Sequence, residues 1–237
     1  MNKKAYRQEI KQLLSPAQAL LLEQRIAAIM QRDTNAGENG SYYIRSIYFD
    51  TLDGNAYNEK KMGICEREKI RIRFYNFNTD SLKLEKKEKR ETLIHKDTLT
   101  IDPKTANELL NGNFESLLSL KQPLAKEIYG KSKEQKLVPA VIVDYSRRAY
   151  TYPVGNVRIT FDSCLQSQNI NEDFWSRGTL HSVLDNNVIL EVKFNKFLPE
   201  HIRQIITSVP GQRIALSKYT LCRENLRRKH GDYIGGN

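Results

Sequence analysis

The stretch from Glu66 to Lys89 carries the residues of this sequence that are best suited to chemistry. Within it, Arg71 and Arg73 alternate with apolar residues, which is the period-two pattern of a β-strand with one apolar and one cationic face. A polar segment, 76–81, follows, and the alternation then resumes with three charged residues on its polar side: Lys83, Glu85 and Lys87. Two such runs predict an antiparallel hairpin. Because rows of guanidinium and ammonium groups neutralise and orient phosphates, the hairpin favours binding of a polyanion.

Other predicted strands show the same combination of an apolar face and a face of mixed charge. The charged faces carry Arg7, Glu9 and Lys11 near the start of the chain, Arg158 and Asp162 later, and Glu191 with Lys193. A barrel that packs its apolar faces outward against helices and turns these charges inward is a tunnel for a polyanion. We therefore predict an α+β fold, a closed antiparallel eight-stranded β-barrel tunnel with helices packed outside. The alternative for each charged face is a solvated outer surface with ion pairs within the sheet.

Cap and periodicity signals supply the remaining elements. Ser15-Pro16 and Asp102-Pro103 each place an N-cap residue before a proline, so helices are predicted to begin at Pro16, ending near Arg32, and at Pro103. Further helices are predicted over 55–62, over 115–135 with a break at Pro123, and over 199–208. Besides the hairpin, strands are predicted over 1–14, 42–50, 91–101, 138–152, 157–162 and 188–195, and a frayed tail over 228–237.

Length and composition set the broad class of protein. The 237 residues are predicted to form one domain, and the net charge of +10 implies an anionic partner. The three cysteines (Cys65, Cys164 and Cys222) are odd in number and far apart, which indicates neither a disulfide framework nor a zinc site. No apolar run approaches the roughly 20 residues of a membrane-spanning helix, and the polar start has no signal-peptide core. We expect a cytoplasmic protein.

Several kinds of catalytic site find no support in the sequence. The four histidines stand apart from any serine or cysteine in the context of an activated nucleophile, which disfavours a catalytic triad or a histidine-based metal site. Phosphoryl transfer depends instead on charge neutralisation and positioning, so arginine, lysine and a divalent metal suffice. Such an ion, bound mainly through phosphate oxygens, needs only one or two carboxylates. Glu9, Glu85 and Glu191 all lie among cations on the charged faces.

Seven motifs follow one another across nearly the whole chain: RSIYFDT (45–51), RIRFY (71–75), LEKKEKR (84–90), YSRRAY (145–150), VRITFD (157–162), ILEVKF (189–194) and LSKY (216–219). In this order they resemble the catalytic domain of the vacuolar transporter chaperone (VTC) polyphosphate polymerase, in the CYTH-like triphosphate tunnel metalloenzyme superfamily. The resemblance implies an eight-stranded tunnel that holds ATP or another nucleoside triphosphate and a growing polyphosphate chain. It also implies Mn²⁺ or Mg²⁺ and transfer of the γ-phosphate with release of the diphosphate. The chain resembles a stand-alone, bacterial-type member, a single VTC-like domain over 1–237.

The resemblance also assigns roles to residues by position. It gives the catalytic phosphate contacts as Arg71, Arg73, Lys87, Arg147, Arg158 and Lys218, with Lys11 and Lys96 as further substrate contacts. Glu191 stands at the position of the family's metal-binding glutamate. We add Glu85 and Lys193, which lie on the same charged faces, and Tyr219, which follows Lys218, as predicted substrate-binding residues.

Three functions are therefore distinguished. The first is a polyphosphate polymerase that uses ATP and a pyrophosphate or polyphosphate acceptor, and the second is a tripolyphosphate or nucleoside triphosphate hydrolase of the same superfamily. The third is a binding module for polyphosphate or nucleic acid. Tyrosines such as Tyr75 and Tyr150 lie near cations and could stack on RNA bases, but acidic residues share the basic faces, so no nucleic-acid partner is expected. A membrane-protein partner that removes the product is compatible with the sequence.

Overall fold

The computed structural model describes residues 7–37, 39–91, 93–213, 215 and 217–229. Eight antiparallel strands form the frame of the protein. They are Arg7–Leu14 (β1), Tyr42–Asp50 (β2), Glu66–Tyr75 (β3), Asn78–Arg90 (β4), Leu93–Ile101 (β5), Val138–Tyr152 (β6), Val157–Gln168 (β7) and Val188–Phe194 (β8). Neighbours pair in the order β1, β5, β4, β3, β2, β6, β7, β8, and β8 pairs again with β1. The sheet therefore closes into a ring, which confirms the predicted fold. Three two-residue strands pair with the ring at Gln31–Arg32, His181–Ser182 and Gln212–Arg213.

Six α-helices accompany the ring in the described part of the chain. They are Pro16–Ala27 (α1), Asn55–Lys61 (α2), Pro103–Leu110 (α3), Pro123–Gln135 (α4), Glu200–Thr207 (α5) and Lys218–Lys229 (α6), with 3-10 turns at Phe114–Ser119 and Val154–Asn156. The Ser15 hydroxyl accepts the backbone N–H of Gln18, and the Asp102 carboxylate accepts that of Thr105 at 2.6 Å. Both predicted helix starts are thus correct. No helix of the described residues is long and apolar enough to cross a membrane.

The apolar strand faces point outward and are covered by helices, as predicted. On one side, Ile72 and Phe74 of β3 pack with Ala106 and Leu109 of α3, and α4 extends the same core. A second core lies across the ring, where α1 and α5 cover β7 and β8. Because side chains alternate along each strand, this outward packing turns the charged positions of β1, β3, β4 and β8 into the interior.

The hairpin turn is shorter than the polar segment 76–81 suggested. Asn76 and Phe77 both adopt positive φ, at 50° and 57°, and Tyr75 pairs directly with Asn78. Two central residues of positive φ match the twist of the flanking strands, so pairing resumes at once and 78–81 belong to β4. The Phe77 ring stacks on Tyr43 with centroids 4.9 Å apart, which holds this uncommon conformation.

Other element bounds differ from the prediction by smaller amounts. Helix α1 ends at Ala27 rather than near Arg32, because Gln31 and Arg32 pair with β6. Strand β7 continues past Asp162 to Gln168, with a register shift near Cys164, whose φ is positive. The segment before Pro123 forms a 3-10 turn rather than an α-helix.

Helix α6 was not predicted. Part of it, Arg228 and Lys229, falls in the predicted frayed tail, whose remaining residues lie outside the described ones. Its apolar residues, Tyr219, Cys222 and Leu226, pack on inward-facing side chains of β6 and β7. The helix thus covers part of the ring interior from one end, and its first residue, Lys218, faces the charged cavity.

Candidate active site

A cavity of about 320 Å³ inside the ring gathers most of the inward charges. Seven of the eight strands contribute to its wall, together with α2 and α6. Only two acidic residues, Glu9 and Glu191, are among its described lining residues. Eleven cationic residues line it: Lys11, Lys60, Arg67, Lys69, Arg71, Arg73, Lys87, Lys89, Arg147, Lys193 and Lys218. With every one of these groups ionised, eleven positive and two negative charges give a formal net charge of +9, which suits a highly charged anion.

Glu191 lies at the centre of an ion-pair network. Its carboxylate is 2.8 Å from Lys218 Nζ, 3.3 Å from Lys193 Nζ and 3.4 Å from Lys11 Nζ, and Arg147 lies at 3.6 Å. Burial alone raises the pKa of this carboxyl, but Lys218 and the other three cations outweigh burial and hold the pKa well below its usual range. Glu191 therefore stays ionised.

Asp162 of β7 forms ion pairs with two of these cations, Arg147 and Lys218. It is fully buried, and its two oxygens accept a bidentate pair from Arg147 at 2.6 and 2.7 Å. The Lys218 ammonium lies 2.6 Å from the same carboxylate. Burial lowers the pKa of Lys218, but the charges of Asp162 and Glu191 together raise the pKa by a larger amount. The net shift is therefore upward, and the ammonium stays charged. The carboxylate therefore fixes both side chains at the cavity wall.

Glu85 holds the two arginines of β3, Arg71 and Arg73, in position in the same way. Its buried carboxylate accepts a hydrogen bond from Arg71 Nε at 2.7 Å, contacts Lys96, and lies 3.8 Å from Arg73. Arg71 also donates to the Tyr48 hydroxyl at 2.7 Å, and Arg73 to Ser46 at 3.0 Å. Since each guanidinium has several donors, these contacts fix the two arginines and leave N–H groups for an anion.

Five lysines of the cavity have lowered pKa values, and the shift is large for Lys69 and Lys87. Lys87 lies 3.1 Å from Glu9, but burial and the nearby Lys11 and Lys193 charges lower its pKa to about 7. Burial, followed by the repulsion of Lys11 and Lys87, lowers the pKa of Lys69 well below the usual value. A bound anion removes this penalty, because it supplies the missing opposite charge.

The structure gathers eight of the predicted site residues around the cavity: Lys11, Arg71, Arg73, Lys87, Arg147, Glu191, Lys193 and Lys218. The other four, Glu85, Lys96, Arg158 and Tyr219, are not among its lining residues. Lys96 is bound to Glu85, and Arg158 forms an ion pair with Asp33. Tyr219 is buried, and its hydroxyl donates to the Asp50 carboxylate. The roles of all twelve residues stay predictions.

Four lining cations were absent from the predicted set. Arg67 and Lys69 precede Arg71 at intervals of two, and β3 begins at Glu66, so both share the face of Arg71. Lys89 follows Lys87 on β4 at the same interval. The alternation in the sequence could therefore have identified all three residues. Lys60 gave no such signal, because it comes from the short helix α2 and not from a strand.

Three carboxylates lie close enough together to share an ion, but they stand outside the ring. Glu68, Glu88 and Glu127 surround the buried Lys86 ammonium, and Lys131 also pairs with Glu68. Because an ammonium already fills the centre, we interpret this group as an ion-pair network on the outer face. It is separate from Glu191.

The sequence matches the VTC domain over residues 6–227. The chain belongs to the VTC domain family. This match confirms the resemblance that the seven motifs carried. Among curated proteins, none matches.

Solved structures show the same fold at low sequence identity. One is HpAC1 from Hippeastrum, a candidate adenylyl cyclase described as having a dominant triphosphatase activity. It has 18% identity and a TM-score of 0.56, and the alignment covers 92% of this chain and 95% of that one. Another is a candidate adenylate cyclase from Bacillus halodurans, with 16% identity, a TM-score of 0.51, and coverage of 90% and 95%.

Proposed function

We propose that this VTC-domain protein is a metal-dependent enzyme that transfers the γ-phosphoryl group of ATP to a growing inorganic polyphosphate chain. The observation that carries the proposal is the closed interior with eleven cations and two acids around one cavity. In the reaction, a terminal oxygen of the acceptor chain forms a bond to the γ-phosphorus. The bond from that phosphorus to the β-phosphate oxygen breaks, and ADP leaves.

The residues divide by what they offer to phosphate. Arg71, Arg73 and Arg147 present planar guanidiniums whose positions are already fixed by Glu85 and Asp162, so little side-chain entropy is lost on binding. The lysines act as point charges that neutralise the phosphate oxygens. Such preorganised cations stabilise charge that develops on the equatorial and leaving oxygens during transfer.

The acidic residues of the cavity fit a divalent ion. Glu191 is ionised and buried, and a hard cation held mostly by phosphate oxygens needs only one or two carboxylates. Glu191 would hold Mn²⁺ or Mg²⁺, and the ion would neutralise phosphate charge. Lys11 and Lys193, which now contact Glu191, have flexible stems and can turn to phosphate oxygens when substrate enters, whereas Lys218 is held by Asp162.

A triphosphate hydrolase is the second candidate. It is favoured by HpAC1, which shares the fold and is described as a triphosphatase. The same cations would bind the substrate, and water would replace the polyphosphate acceptor as the nucleophile. The two reactions differ in product and not in the residues that hold the triphosphate.

Product analysis tests the proposal. Purified protein is incubated with ATP, Mn²⁺ and a pyrophosphate primer, and the products are separated on a gel. A ladder of polyphosphate supports the polymerase, free phosphate alone identifies a hydrolase, and neither product identifies a binding module. Arg147→Ala removes a cavity cation, and Lys104→Ala removes an exposed outer one as the matched control. The ladder should disappear in the first variant and persist in the second.

A further inference from the structure

Asp50, the last residue of β2, has a buried carboxylate that is not among the described lining residues of the cavity. One of its oxygens accepts the backbone N–H of Thr51 at 2.8 Å and that of Ala56 at 2.9 Å. The other accepts the backbone N–H of Tyr57 at 3.1 Å and the hydroxyl of Tyr219. Because Ala56 and Tyr57 belong to α2 and Tyr219 to α6, this one carboxylate joins the end of β2 to the starts of two helices.

Helix α2 depends on Asp50 for its N-terminal cap. The N-cap position is occupied by Gly54, which has no side chain and makes no capping hydrogen bond. The N–H groups of the first helical turn have no partner within the helix, and a carboxylate is a favoured acceptor for them. Ala56 and Tyr57 hold the carboxylate from the side of α2, so its orientation toward Tyr219 is fixed before any ligand binds.

The Tyr219 side chain is held at its ring as well as at its hydroxyl. It is 1% exposed, and its ring lies against that of Tyr48 of β2, with centroids 5.2 Å apart. The Lys69 ammonium of β3 lies 4.8 Å from the centre of the same ring. Burial, and then the Asp50 charge, raise the pKa of Tyr219, so the hydroxyl keeps its proton and donates the hydrogen bond. Asp50 therefore anchors α6 to β2 at the second residue of the helix.

The residue before this anchor is a cation of the cavity. Lys218 begins α6, and its ammonium contacts Glu191 and Asp162. Neighbouring residues of an α-helix point about 100° apart around its axis, so a fixed Tyr219 sets the direction in which Lys218 leaves the helix. The two carboxylates of the cavity hold the far end of the lysine, whereas Asp50, through Tyr219, fixes the backbone from which the lysine extends.

We infer that Asp50 is a positioning residue for Lys218: by holding the Tyr219 hydroxyl, it fixes the start of α6 from which the Lys218 ammonium meets phosphate. The inference rests on the proposed function, in which Lys218 contacts a phosphate oxygen. Asp50 itself touches neither phosphate nor metal in this arrangement. Small displacements matter, because a misplacement of about 1 Å can cost about 100-fold in rate. Since Asp162 and Glu191 still hold the ammonium when the anchor is lost, we expect a partial loss.

A double-mutant cycle between Tyr219 and Lys218 tests the inference. Y219F removes only the hydroxyl that Asp50 accepts, and K218A removes the lysine. Calorimetry measures tripolyphosphate affinity for the wild type, Y219F, K218A and K218A/Y219F. Y219F should weaken binding by about three- to tenfold when Lys218 is present and by less than about twofold when it is absent, because the hydroxyl acts through the lysine. With ATP and Mn²⁺, Y219F should also lower kcat and not only raise KM.

Two further variants separate this anchor from helix packing in general. Y57F is the matched control, because the Tyr57 hydroxyl also joins α2 to α6 but donates to Glu224, farther along the helix, at 3.3 Å. It should bind tripolyphosphate like the wild type. D50N keeps the shape of Asp50 but replaces one acceptor oxygen with a nitrogen that cannot accept, so D50N/Y219F should bind like D50N alone. If D50N fails to fold because the cap of α2 is lost, the cycle with Lys218 decides the question by itself.

Each other outcome has a separate meaning. Equal losses from Y219F with and without Lys218 would mean that Tyr219 acts on the substrate directly, and an equal loss in Y57F would mean that any contact of α6 matters; both overturn the inference. A lower melting temperature with unchanged affinity and kcat, measured where the variant is folded, would leave Asp50 a purely structural residue and also overturn it. A wild type that does not bind tripolyphosphate refutes the proposed function as well, whereas a wild type that binds, with no coupling in the cycle, refutes this inference alone.

Discussion

Replacing Glu191 by glutamine separates a metal ligand from a structural ion pair. The substitution keeps the shape of the side chain and removes the negative charge that a hard cation needs. The formal net charge of the cavity lining rises from +9 to +10, and four cations lose a shared partner within 3.6 Å. Loss of one partner of a buried ion pair costs about 3–5 kcal/mol, so the free energy of unfolding should fall by that order without ligand.

The two functions of Glu191 predict different ligand behaviour. If Glu191 holds the ion, several kcal/mol of charge stabilisation are lost in the transition state, which lowers turnover by about 10²-fold or more. Affinity for tripolyphosphate in EDTA should stay equal or increase, because a repulsive carboxylate has left the site. The assays are turnover against Mn²⁺ concentration and calorimetry of tripolyphosphate in EDTA.

Glu85→Gln is the matched control. It removes the same charge from a buried carboxylate that contacts Arg71 and Lys96 but is not the predicted metal ligand. Both variants should lose stability, and only Glu191→Gln should shift the metal titration. An unchanged Mn²⁺ titration in Glu191→Gln would refute the metal-ligand assignment.

Three further predictions concern binding, pH and packing. Arg71→Ala should weaken tripolyphosphate binding by ~1.5–3 kcal/mol in calorimetry. Arg158→Ala should weaken it by clearly less, because Arg158 pairs with Asp33 and does not line the cavity. Equal losses in the two variants would contradict this geometry. The folded pKa of Lys87, about 7, lies below its unfolded value, so the unfolded chain binds more protons above pH 7. Ligand-free stability should therefore gain a contribution as pH rises from about 7 to 10, and tripolyphosphate affinity should fall; the opposite slopes in thermal melts and calorimetry would exclude a lowered pKa. Leu22→Ala in the outer core should cost ~2–5 kcal/mol in denaturant unfolding and leave the affinity unchanged, and a large affinity loss would mean that the outer helices shape the site directly.

The inner face of the ring could be predicted because its signal is local. The alternation around Arg71 and Arg73 identifies which side chains share a face, and Ser15 and Asp102 mark helix starts through their own backbone contacts. Glu191 could be found in the same way, since it is the one acid in its short strand.

The partners of these residues could not be predicted, because they come from distant parts of the chain. Asp162 supports Arg147 and Lys218 only after β7 pairs with β6 and α6 folds over the interior. Lys60 lines the cavity from helix α2, so the two-residue alternation of a strand does not identify it. Helix α6 has apolar residues at helical spacing, but it is otherwise polar, so its sequence gives a weak signal.

The central claim is that the cationic interior of the ring is where triphosphate and metal bind together. A crystal structure with tripolyphosphate and Mn²⁺, with anomalous scattering to locate the metal, tests it most directly. We predict phosphate oxygens within hydrogen-bond distance of Arg71, Arg147 and Lys218, and a manganese peak beside Glu191. Phosphate density on the outer surface, or a manganese peak among Glu68, Glu88 and Glu127 alone, would contradict the account.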